Sequence, residues 1–205
     1  MVGLELVVLA IQDGQLRVLL GPQGLPGRAL RGASLGGVGP LDRAARALLR
    51  AEVAADQFYL EQLYTFAFPR ASARRIVVAY LALVRNARLR RPGRAWLATG
   101  RLPRLSAEQR RVLEYGLERL HNKITYTNLA FAFLPRRFTF TDLQRTYEVV
   151  LGRALDKRNF RKKILSLQVL APDGQVRRGG GRPARLYQFT GPREVTTWPA
   201  LGGHL

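Results

Sequence analysis

Two kinds of hydrophobic pattern divide the chain. In the first half, apolar residues come mainly in short runs rich in valine, leucine and aromatic residues, which is typical of β-strands. In the second half they recur every three or four positions, which is typical of helices that bury one face. The chain therefore predicts a sheet-rich first domain and a helical second domain.

The first half predicts strands on both sides of a single helix. Residues 4–20 form two β-rich runs around Asp13-Gly14, a pair that favours a tight hairpin turn. A Gly/Pro-rich loop separates them from a helix at residues 41–56, which carries an apolar stripe. Two further strands are predicted near Tyr59–Phe66 and Arg75–Val84. Strands and helix without regular βαβ alternation indicate an α+β domain with a mixed sheet.

The second half opens with two predicted helices. Ser106 and Gln109 have the spacing of a capping box, followed by an apolar stripe that runs to Ile124. A shorter and more buried helix follows and ends at Pro135.

The next segment predicts a helix–turn–helix and a hairpin. Thr141 and Gln144 have the spacing of a second capping box, and Gly152 is suited to the end of that helix. Asp156 is the expected N-cap of the following helix. Residues 169–191 then give two strands joined by a basic, glycine-rich loop. This order is that of a winged helix-turn-helix domain, in which the hairpin is the wing.

The helix after Asp156 predicts one apolar and one cationic face. At about 100° per residue, Ile164 and Leu167 lie within about 40° of Phe160, while Arg158 and Lys162 point away from it. A helix in a DNA major groove needs cations for phosphates and donors for base edges. The alternative interpretation is a solvated basic face that binds nothing.

Charge favours the nucleic-acid interpretation. The formal net charge of the 205 residues is +20, and residues 153–185 hold ten basic and two acidic side chains. We therefore predict binding to double-stranded DNA, while RNA binding or a purely structural winged helix stay open. The predicted DNA-binding residues are Lys157, Arg158, Asn159, Arg161, Lys162 and Lys163 of the helix, with Arg177, Arg178, Arg182 and Arg185 of the wing.

Composition excludes several other classes of protein. The chain has no cysteine and only two histidines, so disulfides, thiolate zinc sites and histidine-rich metal sites are excluded. Its apolar runs are too short to span a bilayer, and its N-terminus lacks the basic flank of a signal peptide. We expect a cytoplasmic protein that does not bind membranes.

Residues 30–56 resemble the Nudix box, a loop–helix–loop motif whose glutamates hold Mg²⁺ against a diphosphate. The positions of its glycine and acidic residues fall on Ala33, Gly39, Leu48, Ala51 and Glu52, so Glu52 is the one carboxylate left of four. Magnesium in such sites needs several oxygen ligands. We therefore predict no catalytic residues, no metal ligands and no cofactor, and we expect Glu52 to tie down the neighbouring loop instead of binding metal.

The chain as a whole resembles the NrtR family of Nudix-related transcriptional regulators. The segments that carry the resemblance are residues 58–66, 74–84, 102–109, 138–165 and 181–189. Glu108 and Gln109 stand where the family usually has aspartate and histidine. The resemblance implies a Nudix-like sensor and dimerisation domain at residues 1–122, a winged helix-turn-helix domain at 123–191 and a C-terminal tail at 192–205.

Further expectations follow from this resemblance. It implies a homodimer that binds a palindromic operator, controls genes of NAD or sugar metabolism, and responds to ADP-ribose or a related nucleotide. The expected ligand contacts are Arg28, Arg75 and Tyr64; alternatively, the arginines are solvent-facing loop charges and Tyr64 is a core residue. Two other hypotheses remain: a nucleotide diphosphate hydrolase with an accessory nucleic-acid-binding domain, and a first domain that serves only for dimerisation.

Overall fold

In a computed structural model of the protein, the chain forms two compact units, Met1–Arg119 and Leu120–Leu205. The division falls within a helix. The predicted limit after residue 122 lies in the same helix, and as a domain boundary it stays a prediction. The structure describes residues 2–21, 29–34, 39–55, 57–69, 74–85, 88–90, 92–178, 183–192 and 195–197.

A mixed sheet forms the centre of the first unit. Its described strands are β1 (Val2–Gln12), β2 (Gln15–Leu20), β3 (Arg31–Ser34), β5 (Phe58–Phe68), β6 (Arg75–Val84) and β8 (Ala95–Ala98), and a separate short pair is formed by β4 (Val53–Ala54) and β7 (Arg88–Leu89). The strand order is β5-β6-β1-β2-β8, with β3 also paired to β1. β1 and β6 run parallel and the other pairs are antiparallel, so the predicted mixed sheet is confirmed.

The hairpin between β1 and β2 turns where the sequence predicts. Asp13 and Gly14 both have positive φ, 51° and 69°, as a two-residue hairpin turn of the mirror-image type requires. Gln12 and Gln15 pair directly across the turn. This register is consistent with the almost continuous burial of β1, both faces of which are covered.

Helices cover the two faces of this sheet. α1 (Leu41–Glu52) buries Ala45 and Leu49 in a cluster with alternate residues of β1 and β6. α2 (Ala107–Ile124) packs on the other face, where a Cβ on Gly116 would lie 3.0 Å from Val7 Cγ1. The glycine thus allows the helix to approach the strand closely. Ser106 Oγ accepts a hydrogen bond from Gln109 N at 3.3 Å, as expected of the predicted cap.

The second unit has the predicted winged helix order. Its elements are the end of α2, a 3-10 helix (Asn128–Phe133), β9 (Phe138–Thr139), α3 (Phe140–Leu151), α4 (Lys157–Ser166), β10 (Leu170–Arg177) and β11 (Ala184–Phe189). The three strands pair in the order β10-β11-β9. The short buried helix predicted before Pro135 is of the 3-10 type, and Thr127 Oγ1 caps it by accepting from Leu129 N at 3.3 Å.

Aromatic residues fill the core of the second unit. Tyr147 of α3 and Phe160 of α4 are buried and pack edge to face, with ring centroids 5.2 Å apart. Gly152 ends α3 with φ +66°, the left-handed conformation predicted for it. The mixed sheet of the first unit and the helices and hairpin of the second confirm the α+β class predicted for the chain.

Part of the predicted C-terminal tail packs on the second unit. Thr196 N donates to Asn128 Oδ1 at 3.1 Å, and Asn128 Nδ2 donates to Pro192 O at 3.0 Å. Thr127 and Thr197 form an isolated β-bridge beside these contacts. Residues 195–197 are thus held against the 3-10 helix.

Candidate nucleic-acid interface

The start and the buried face of α4 are as predicted. Asp156 Oδ1 accepts a hydrogen bond from Asn159 N at 2.8 Å, which satisfies a backbone donor of the first turn. Phe160 and Ile164 are fully buried. Their spacing of four residues places both on the same side of the helix, so the core fixes which face turns outward.

The opposite face of α4 is exposed and cationic. Lys157, Arg158, Asn159 and Lys162 are exposed. In the part of the chain that the structure describes, no carboxylate pairs with the side chains of these three cations. Because no carboxylate among the described residues neutralises them, their charge remains available to phosphates.

The turn between α3 and α4 is fixed by side chains that the sequence analysis did not identify. Gln144 Nε2 donates to Leu155 O at 3.0 Å, and Glu148 Oε1 accepts from Leu155 N at 3.0 Å. Gln144 Nε2 also donates to Glu148 Oε1 at 2.9 Å. These bonds hold the two helices of the helix–turn–helix in one arrangement, and the one sequence signal for them is two polar residues spaced four apart on α3.

The predicted cap of α3 at Thr141 and Gln144 is wrong. The capping box lies two residues earlier, because Thr139 Oγ1 accepts from Asp142 N at 3.1 Å and Asp142 Oδ2 accepts from Thr139 N at 2.8 Å. The cause is a contact with a strand that is distant in the sequence. Phe138 and Thr139 pair with β11 as a short strand, so the chain turns into the helix at Thr139.

The carboxylate of Asp142 also ties the wing to α3. Arg177 Nη1 lies 2.9 Å from Asp142 Oδ2, so this predicted DNA-binding residue forms an ion pair within the domain. A second pair joins Arg137 Nε and Asp173 Oδ2 at 3.0 Å, at the irregular part of β10. Both contacts position the wing strand relative to the helix–turn–helix.

Arg161 lies in a cleft between α4 and the wing. Its guanidinium carbon is 4.4 Å from the ring centroid of Phe140, and its Nη2 donates to Tyr187 Oη at 3.3 Å. The rings of Phe140 and Tyr187 meet at 89° with centroids 5.1 Å apart. The cleft has a volume of about 550 Å³, and Lys157 and Arg185 also line it. Sequence analysis missed both aromatic residues of this arrangement.

The other predicted DNA-binding residues differ in their exposure. Arg178 and Arg185 are exposed, and Lys163 is partly buried and makes a contact of its own. Arg182 lies outside the described residues. The structure therefore brings Lys157, Arg161 and Arg185 together at the cleft, while Arg158 and Lys162 lie on the exposed face of α4.

Glu52 is enclosed by arginines in the first unit. Its side chain is fully buried, its Oε2 lies 2.5 Å from Arg94 Nε, and its Oε1 lies 2.6 Å from Arg31 Nε. Its backbone oxygen accepts from Arg90 N at 2.9 Å. Glu52 thus holds the chain around β7 and β8 in place, as expected of a residue that ties down the neighbouring loop.

Arg75, an expected ligand contact, forms ion pairs with two carboxylates. Its Nη2 donates to Glu5 Oε1 at 2.7 Å and its Nη1 to Glu108 Oε2 at 2.9 Å. Burial alone would lower the pKa of Arg75, but the hydrogen bonds and charges of the two glutamates outweigh it and raise the pKa. An anionic ligand at Arg75 would have to compete with two negative charges.

Tyr64 is a surface residue, contrary to the alternative that placed it in the core. Its side chain is 51% exposed and lies 5.1 Å from the ring of Tyr115 and 5.0 Å from that of Phe66. The structure does not bring it together with Arg75, which lies four positions from its partner Ala79 along β6. Arg28 lies outside the described residues.

The described residues contain no group of three or more histidine, aspartate or glutamate side chains placed to hold a metal ion. None of their helices combines the length and the apolar character needed to cross a bilayer.

Most of the second unit matches a known family model. The model of the NrtR DNA-binding winged helix domain matches residues 130–189, which contain β9, both helices of the helix–turn–helix and the wing. Residues 130–189 are thus similar to the winged helix domain of NrtR proteins.

The similarity to NrtR proteins extends over most of the chain. The ADPR responsive transcriptional repressor NtrR of Acinetobacter baylyi is 28% identical over 201 residues, which cover 90% of this chain and 80% of that protein. The crystal structure of Shewanella oneidensis NrtR complexed with a 27mer DNA is 25% identical, covers 92% of this chain and 93% of its own, and has a TM-score of 0.76. The resemblance to the NrtR family is thus confirmed over both domains.

A more distant structure shows the fold alone. The MutT/nudix family protein from Enterococcus faecalis is 19% identical, with a TM-score of 0.71 over 92% of this chain and 85% of that chain. Together with the match of residues 130–189 and the likeness to the DNA-bound Shewanella oneidensis NrtR, this likeness confirms the predicted architecture, a Nudix-like domain followed by a winged helix domain.

Proposed function

We propose that the protein is a transcriptional regulator that recognises DNA sequence through the exposed face of α4. The observation that carries this proposal is the unneutralised cationic face of a helix whose other face is fixed by Phe160 and Ile164, in an NrtR DNA-binding domain. Arg158 and Lys162 suit phosphates, and the amide of Asn159 suits a base edge in the major groove.

The wing contributes a second set of contacts. Arg178 is exposed beside the described end of β10, and we propose that it and Arg182 contact phosphates or the minor groove. Arg177 reaches the same region while it remains paired with Asp142, so its main role is to hold the wing strand. The two sets of contacts would lie on neighbouring grooves of one duplex.

Selection from a random pool of duplexes tests sequence recognition directly. We expect the full-length protein to enrich a short sequence arranged as an inverted repeat, because a dimer of winged helices places two α4 helices on two half-sites. Sedimentation of the free protein should show the dimer. An enriched single half-site would retain sequence recognition but reject the palindrome; no enrichment over the starting pool would reject the proposed function.

The first domain is proposed to sense ADP-ribose or a related nucleotide and so to control genes of NAD or sugar metabolism in the cytoplasm. The support is similarity to a repressor that is named ADPR responsive, together with the Nudix-like fold. Exposed Tyr64 offers an aromatic surface for a base or sugar. Arg28 and Arg75 are the proposed anion contacts, and Arg75 would then exchange its glutamate partners for phosphate.

Calorimetry followed by DNA titration tests the sensor. If ADP-ribose binds and alters DNA affinity by some factor, DNA must alter ADP-ribose affinity by the same factor. NAD and simple sugar phosphates serve as comparison ligands. Absence of binding at millimolar concentration, or binding that leaves DNA affinity unchanged, would favour a first domain that serves only for dimerisation.

We also propose that the first domain does not hydrolyse nucleotides. The one carboxylate left at the acidic positions of the box, Glu52, is occupied by Arg94 and Arg31, and Ala33, Gly39, Leu48 and Ala51 supply no side-chain oxygen. The test is incubation of ADP-ribose, NAD and nucleoside triphosphates with Mg²⁺ or Mn²⁺. Turnover above blank that disappears in Glu52→Gln would support the hydrolase alternative.

A further inference from the structure

Arg161 lies in the cleft between α4 and the wing, and the DNA contacts proposed for the exposed face of α4 do not explain its contacts there. We infer that the cleft holds one sugar–phosphate unit of the DNA backbone, and that Phe140 and Tyr187 hold Arg161 in position to bind it. This inference rests on the proposed DNA binding and assigns Arg161 a role different from that of Asn159.

The charge of the cleft points to an anion. Lys157, Arg161 and Arg185 converge on it, and no aspartate or glutamate is among the described residues that line it. The nearby acids have other partners, since Asp142 pairs with Arg177 and Glu148 accepts from the turn after α3. Three cations without a counter-charge favour a ligand that carries negative charge.

Arg161 is ordered before any ligand arrives. An exposed arginine samples many rotamers, and binding normally has to fix one of them. Here one face of the guanidinium lies on Phe140 and one N–H donates to Tyr187 Oη. Arginine has five N–H donors, so the remaining donors can bind phosphate oxygens without losing these contacts.

The position of the cleft favours a DNA backbone over a base, and its size allows a phosphate with its sugar. The volume of about 550 Å³ exceeds what a bare phosphate fills and accommodates a phosphate with adjoining sugar. The cleft lies beside α4 and opens against β11 of the wing. In winged helix binding the helix and the wing contact adjacent grooves, and a phosphate backbone separates those grooves. Thr141, another lining residue, adds a hydroxyl donor.

Salt-dependent titration separates the charge of Arg161 from its orientation. The full-length protein is titrated by fluorescence anisotropy with two duplexes of equal length, the sequence enriched by selection and an unrelated sequence. Arg161→Ala should weaken both duplexes by about tenfold and lower the salt slope by about one. Arg161→Lys and Phe140→Leu should weaken both duplexes while the slope stays the same, because the charge remains but its position is less fixed.

Each outcome decides one question. Unchanged affinity in Arg161→Ala would overturn the inference. So would loss on the enriched duplex alone with an unchanged slope, since Arg161 would then contact a base. The double variant Arg158→Ala with Lys162→Ala reports on the proposed function itself. If that double variant loses binding while Arg161→Ala does not, the cleft inference fails alone; if the wild-type protein binds neither duplex, both fail.

Discussion

Two arginines of the first domain and one of α4 have opposite surroundings. In the first domain, Arg94 pairs with the buried carboxylate of Glu52, and Arg75 bridges Glu5 and another glutamate. In the second domain, Arg158 on the exposed face of α4 has no carboxylate partner among the described residues. A count of basic residues therefore does not locate a DNA-binding surface, because some of these residues neutralise carboxylates within the fold.

The physical reason lies in burial. A carboxylate as deeply buried as Glu52 is stable only if cations and hydrogen bonds replace its water. On the exposed face of α4 water solvates the cations, so no partner is required. The acid nearest along the chain, Asp156, accepts from a backbone N–H at the start of the helix instead. Arg94 and Arg75 therefore stabilise the fold, whereas the exposed cations of α4 are available to a ligand.

Removing Arg94 gives the largest expected change in stability. In Arg94→Ala, Glu52 stays buried and loses its partner at Oε2, and we expect a loss of about 3 kcal/mol or more in the free energy of unfolding. The measurement is urea unfolding of the full chain. The control Arg43→Ala, on the exposed side of α1, should change stability by less than about 0.5 kcal/mol. Similar small losses in both variants would show that the buried pair of Arg94 and Glu52 contributes no more to stability than an exposed arginine does.

The cap of α3 gives an intermediate effect in the second domain. Thr139→Ala removes the side-chain acceptor of the capping box, and we expect a loss of about 1–2 kcal/mol in unfolding free energy. Thr141→Ala, at the cap position that the sequence suggested, should cost less than about 0.5 kcal/mol. Thermal unfolding of the two variants side by side measures the difference. A larger loss in Thr141→Ala would restore the cap predicted from sequence.

A buried hydroxyl in the second domain gives the smallest effect. Among the described residues, Tyr147 Oη has no hydrogen-bond partner, whereas the buried carboxylate of the first domain is paired. We expect Tyr147→Phe to raise the free energy of unfolding by up to about 1 kcal/mol. A loss of more than about 1 kcal/mol would show that the hydroxyl has a stabilising partner.

The contribution of Tyr147 to the stability of the fold should decrease at alkaline pH. Burial raises the pKa of Tyr147 above its ordinary value. In the unfolded chain the phenol ionises near its ordinary pKa of about 10, so this contribution to stability is fully present below that pH and is lost as pH rises above it. Stability measured from neutral to alkaline pH should therefore fall more in the wild-type protein than in Tyr147→Phe. Parallel curves would contradict the assignment.

Local signals were sufficient for much of the fold. The Asp13-Gly14 turn, the Asp156 cap and Gly152 at the end of α3 each depend on a few consecutive residues, and each is confirmed. Phe160 and Ile164 define the buried face of α4 through spacing alone. The exposed face of the candidate interface could therefore be predicted from sequence.

Contacts between distant residues could not be predicted in this way. The capping box of α3 begins at Thr139 and not at the predicted Thr141. The reason is that Phe138 and Thr139 pair with β11, whose residues lie far along the chain. The pairing of Arg75 with Glu5 joins residues 70 positions apart. The position of Arg161 likewise depends on an aromatic pair from α3 and β11. No local pattern encodes such contacts.

The central claim is that the exposed face of α4 binds DNA, and two double variants of equal charge test it. Arg158→Ala with Lys162→Ala removes two cations from α4, and Arg43→Ala with Arg46→Ala removes two exposed cations from α1. Affinity for the enriched duplex is measured over a range of salt concentrations. We predict that the α4 variant binds far more weakly with a salt slope lower by about two, while the α1 variant matches the wild-type protein. Equal losses in the two variants, or full affinity in the α4 variant, would contradict the claim.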